Sequence, residues 1–131
     1  MIYPSTTISM QIAREPAAVY AFVSALENFP LWATTFCKSI RKEQDNWVME
    51  TSLGPMSIRL APQNSLGVLD HYVTPPSGET LYVPLRVVTN GSGSEMLFTL
   101  FRLPGVSDEA YAADAALVRQ DLNSLKELLE R

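Results

Sequence analysis

The chain has a single cysteine, Cys37, and a single histidine, His71, in 131 residues. A lone cysteine excludes an internal disulfide and a cysteine-based metal cluster. A lone histidine excludes a multi-histidine metal site. Positive charge is scarce: ten Lys and Arg against fourteen Asp and Glu give a net charge of −4. Phosphate binding needs a concentrated Lys/Arg face, so no nucleic-acid partner is expected, and an anionic membrane surface is disfavoured for the same reason. No apolar run approaches the ~20 residues that span a bilayer. The start, Met1 to Ser5, lacks the basic and apolar regions of a secretory signal. A soluble, cytoplasmic protein without membrane insertion is the expectation. No glycine-rich phosphate loop opens a helix, because Asn90-Gly91-Ser92-Gly93 joins two strands and reads as a hairpin turn. One histidine and no nucleophile elbow exclude a Ser–His–Asp arrangement. No cofactor and no metal are implied.

What is present is an order of elements. Thr6 to Ala13 alternates, with Ile8, Met10 and Ile12 on one face, which is a half-buried strand. Glu15-Pro16 then opens a helix, since proline is tolerated at the first helical position. Val19, Phe22, Val23 and Leu26 follow at helical spacing. Asn28-Phe29-Pro30 breaks it, and Pro30 to Thr34 can begin a shorter helix carrying Trp32. Six strands follow, over 36–43, 47–53, 56–62, 66–73, 80–89 and 95–103. Each is bounded by turn formers such as Gln44-Asp45-Asn46, Gly54-Pro55 and Pro75-Pro76-Ser77-Gly78. Such spacing predicts an antiparallel meander. Ser107 is a good N-cap, and Asp108 and Glu109 suit the positive end of a helix dipole. The helix from there to Arg131 would span roughly 37 Å. Its stripe is Tyr111, Ala115, Val118, Leu122, Leu125 and Leu129, widened by Leu117 and Leu128. With no linker or repeat, residues 1–131 read as one domain of α+β class. About seven strands would form a curved antiparallel sheet around the long C-terminal helix, with two short helices after the first strand.

Strand parity assigns the faces. Trp47, Met49, Thr51 and Leu53 look inward, as do Met56, Ile58 and Leu60. So do Leu81, Val83, Leu85 and Val87, and Met96, Phe98 and Leu100. On 66–73 the more apolar face holds Leu69, His71 and Val73, which puts His71 inside as a lone ionisable group. It is a core histidine with a backbone or hydroxyl partner, a ligand contact, or an acid/base group. Asp70 then points outward to pair with Arg59 or Arg86. Reversed parity would send Asp70 and Tyr72 inside instead. Met10, Met49, Met56 and Met96 fill core, and methionine walls also adapt to varied apolar ligands. Trp32 and Trp47 either pack the core or stack on a flat ligand. Cys37 has no base placed beside it and reads as a buried thiol.

The order of elements, with Arg14-Glu15-Pro16-Ala17-Ala18-Val19-Tyr20-Ala21-Phe22-Val23, Phe29-Pro30-Leu31-Trp32 and the closing Val118 to Lys126 segment, resembles the helix-grip superfamily. This START-like or SRPBCC group includes polyketide cyclases and dehydrases and pollen-allergen-type lipid binders. The resemblance covers nearly the whole chain. It implies a hydrophobic tunnel between helix and sheet for lipids, polyketides or aromatic metabolites. The iron ligands of the group's ring-dioxygenase members are missing here.

Three functions stay open. The first is a binding protein for a small hydrophobic molecule, with Trp32, Trp47, Met49, Ile58, Leu85, Met96, Phe98 and Val118 as apolar contacts and His71 or Tyr111 as the polar one. The second is a cyclase- or dehydratase-type enzyme with His71 as catalytic acid/base. The third is a non-catalytic interaction protein whose cavity is filled by its own side chains. Edge strands of this architecture also allow a homodimer.

Overall fold

A computed structural model describes residues 1–131. The first strand, β1, is Ser5–Ile12, with Ile8 and Ile12 fully buried as the alternation requires. Helix α1, Pro16–Ser24, starts on its proline and buries Val19, Tyr20 and Val23. A single 3₁₀ turn, Leu26–Asn28, leads into α2, Phe29–Trp32. The second helix therefore begins one residue before Pro30, because proline fits either of the first two helical positions, where no backbone donor is needed.

Seven strands follow: β2 (Ser39–Glu43), β3 (Asn46–Thr51), β4 (Gly54–Leu60), β5 (His71–Thr74), β6 (Leu81–Val83), β7 (Leu85–Asn90) and β8 (Gly93–Phe101). All pairings are antiparallel. One sheet runs β2-β3-β4-β5-β6 and the other β1-β8-β7. Two expectations are corrected here. The stretch 80–89 is not one strand, because Pro84 has no N–H to continue a ladder and splits it into β6 and β7. The stretch 66–73 is a strand only from His71 onward. Before that, Gly67 takes φ +74° and runs so close to β7 that a Cβ would sit 2.1 Å from the Val87 carbonyl oxygen. Leu69 N–H donates to Leu85 O and Val87 N–H to Gly67 O, with a single bridge from Val68 to Arg86. These bonds, and the chain continuing through Pro84, stitch the two sheets together.

Helix α3 spans Asp108–Leu129, and Ser107 Oγ accepts from Ala110 N–H at 3.1 Å as its cap. It packs on β1 and α2. Leu122, Leu125 and Leu129 are buried, whereas Tyr111, Ala115 and Val118 are only half-buried. Leu117 is 44% exposed, so it does not widen the stripe. The helix's far end is tied down by Arg14, which donates to the Leu129 carbonyl, and by Lys126, which donates to Gln11 O and pairs with Glu130. Together these elements form the helix-grip architecture. No helix is long and apolar enough to cross a membrane.

Candidate functional site

His71 opens β5 and lies opposite Leu60 of β4 and Val83 of β6, on the buried face of the sheet. It is almost fully buried, with its ring edge-on to Phe29 at 5.8 Å. Its Nδ1 lies 3.0 Å from the Leu69 carbonyl oxygen. With Nδ1–H as donor, Nε2 carries the lone pair. Burial holds the imidazole below its ordinary pKa, against the opposing pull of Leu69 O and the Asp70 charge. The ring is therefore neutral at pH 7. No carboxylate bonds to it.

Asp70 is on the other face. Its carboxylate accepts from Arg86 Nε and Nη2, from Leu85 N–H and from the Tyr82 hydroxyl, all between 2.8 and 3.0 Å. Arg86 holds its pKa down at about 2, helped by Leu85 and Tyr82 against the cost of burial. Of the two arginines considered for it, Arg86 is the partner. Arg59 instead lies over the Tyr72 ring at 4.9 Å. Tyr72 and Tyr82 stack at 5.2 Å along this outer face.

The apolar candidates separate into two groups. Met49, Leu85 and Met96 have no exposed surface, and Trp32 and Ile58 have almost none. Trp47, Phe98, Tyr111 and Val118 are half-buried at the margin of the core. The Tyr111 hydroxyl donates to Leu100 O at 2.7 Å and stands 2.9 Å from the Thr6 hydroxyl. Leu53, expected inward, is 75% exposed because it occupies the β3–β4 turn rather than the strand. The Trp32 indole N–H is buried with no partner. Cys37 is buried too, its thiol donating to Ser39 O at 3.4 Å and pushed up to about 11 by burial.

Two features were not singled out from the sequence. Asp121 is buried on α3, where it accepts from Thr35 N–H at 3.1 Å and from the Thr35 hydroxyl at 2.7 Å. Burial raises its pKa, and the Thr35 bonds only partly offset this. It anchors the segment after α2 to the long helix, and one acidic residue on a helix carries no signal of such a partner. The second is an open groove of about 600 Å³ that includes Leu26, Glu27, Trp47, Ile58 and Leu60. Of the expected contact residues, it takes in only Trp47 and Ile58.

No protein-family model matches the chain, and no curated protein is similar to it in sequence. Solved structures do match along its length. An uncharacterised protein from Bacillus thuringiensis superposes with TM-score 0.75 at 18% identity, covering 96% of this chain and 98% of that one. Ara h 8.0201 gives 0.69 at 11% identity, covering 98% of each. The Aha1 dimer from Colwellia psychrerythraea gives 0.73 at 14%, covering 99% of this chain and 97% of that one. The chain has the START-like, SRPBCC fold. At these identities the START-like likeness is one of fold, so the site must be argued from its own residues.

Proposed function

We propose that this START-like chain binds a small hydrophobic molecule, a lipid, polyketide or aromatic metabolite, on the open part of its concave face. One observation carries the reading. Around Leu85, Met96, Leu122 and Leu125 the core is fully closed, whereas Trp47, Leu60, Val83, Phe98, Ala115 and Val118 pack against it only in part. Of these, Trp47 and Leu60 line the groove, and apolar surface left half wet is the surface a ligand would cover. On this reading Trp47, Ile58, Phe98, Tyr111 and Val118 touch the ligand. Met49, Leu85, Met96 and Trp32 form the layer beneath. His71, paired with Leu60 across β4 and β5, offers Nε2 to any polar group that reaches it.

A thermal-shift screen with lipids and aromatic metabolites tests this, because a ligand bound to the native state must raise its stability. A rise in Tm with any of these classes supports the reading, and no rise at saturating concentrations overturns it. The complete covering of Met49, Leu85 and Met96 favours a second reading, in which the cavity is filled and the chain works by interaction alone. The same null screen would favour that alternative. A neutral imidazole with a free Nε2 also suits a general base acting on a C–H beside a carbonyl. For a ligand turned over by the protein, unchanged turnover in His71→Gln would remove that role.

A further inference from the structure

The groove beside Trp47 lies where the edge of the sheet steps. The β2–β3 hairpin turns at Gln44 and Asp45, and the β3–β4 register begins with Trp47 opposite Ile58. Strand β4 runs on to Leu60, two residues past that pair. The alternation of the ladder sets where its backbone points. Ala61 N–H donates to Asp70 O on the β5 side. Leu60, one residue earlier, therefore turns its N–H and C=O the other way, toward the place Asp45 would occupy if β3 continued. Asp45 is in the turn and gives them no partner, and no other backbone or side-chain group bonds them. A donor and an acceptor stand side by side, facing the groove.

This free edge is one residue long. The hairpin tip closes it on one side, and Pro62 follows shortly after with no N–H to offer. A peptide strand pairing edge to edge needs several residues, so the occupant is a small molecule. The surroundings narrow its chemistry further. Leu26, Trp47 and Ile58 supply an apolar wall, while Glu27 and Asp45 against Arg59 leave the groove net negative. A carboxylate head is thus disfavoured, and a neutral group that both donates and accepts is matched.

We infer that the groove takes a flat apolar molecule ending in a lactam or similar cis-amide edge, which pairs with the Leu60 main chain while its body lies against Trp47 and Ile58. This rests on the hydrophobic-ligand reading above and specifies the head group.

A ¹⁵N-HSQC titration with 2-quinolone, 1-methyl-2-quinolone and naphthalene tests it. The first probe has both N–H and C=O on one edge, the second lacks the donor, and the third lacks both. The expected result is a shift of the Leu60 amide resonance with 2-quinolone, and affinity about fivefold above that of the methylated probe. Equal binding of all three with the Leu60 amide unmoved overturns the lactam head and leaves apolar binding standing. Stronger 2-quinolone binding that leaves the Leu60 amide unmoved also overturns it. Binding by none of them overturns the proposal, and the hydrophobic-ligand reading then stands or falls on the thermal-shift screen. In Leu60→Pro, which deletes this N–H and no ladder bond, the preference for 2-quinolone should vanish, and its survival in the folded variant overturns the proposal. If that variant does not fold, the wild-type titration decides alone.

Discussion

The two halves of α3 carry the same apolar spacing and meet different fates. From Asp121 onward, Leu122, Leu125 and Leu129 are buried against β1, α2 and the closed core. Before it, Tyr111, Ala115 and Val118 are half-covered and Leu117 is open to solvent. Periodicity sets which side of a helix faces the protein, but not how much protein is there to meet it. Here α2 packs on α3, and the segment after it is bonded to Asp121, where the buried half begins. The closed half holds the fold together, and the open half is where the proposed ligand contacts Tyr111 and Val118 stand.

The sharpest test of this contrast is a pair of truncations. Leu125→Ala should cost about 2–5 kcal/mol, since a fully buried leucine leaves a cavity. Val118→Ala should cost about 1 kcal/mol or less, because water already reaches the site. Urea denaturation of both variants measures the difference, and equal losses would erase the distinction between the halves.

Acid separates the regions in a second way. His71 has a folded pKa below its unfolded value, so the unfolded chain takes up the proton first. Its contribution to stability is complete above the unfolded pKa of about 6.5 and falls as pH drops below it. His71→Gln should flatten the stability profile between about pH 7 and pH 5. An unchanged slope would mean the imidazole is not enclosed.

Asp121 works in the opposite sense, since its folded pKa is raised. The charged form is penalised in the closed half, and the penalty is relieved as pH falls through the folded pKa. Asp121→Asn should remove that gain on acidification while keeping an acceptor for Thr35. Equilibrium unfolding at several pH values, with and without the substitution, would show whether the curves converge at low pH. The smallest effect is expected at Leu117. Leu117→Gln should shift stability by no more than about 0.5 kcal/mol, and a larger loss in a thermal melt would mean that the open half is covered in solution.

Much of this was legible in the sequence because the local signals agreed with one another. Pro16, Ser107 and the turn residues marked boundaries, and alternation sent His71 inward and Asp70 outward toward Arg59 or Arg86. What could not be read were the consequences of shape. Pro84 looked like one residue of a strand, yet its missing N–H moves the ladder from one sheet to the other. Gly67 was read inside a strand, yet its role is to let one backbone approach another. The groove escaped notice because it depends on two lengths together: where the hairpin at Gln44-Asp45 ends, and how far β4 runs past it. The site expectations named inward side chains, whereas the free groups at the groove belong to the main chain of Leu60.

The solitary cysteine gives this architecture a built-in clock. Cys37 is sealed at the corner between α2 and β2, and burial keeps its thiol protonated at neutral pH. A maleimide or disulfide reagent can reach it only when that corner opens, so with fast reclosing the labelling rate reports the opening equilibrium of one end of the molecule. Residues 33–37 carry both this thiol and Thr35, the partner of Asp121. Loosening of the Asp121 clamp by substitution would therefore be timed by the chain's own sulfur with no probe added to the fold.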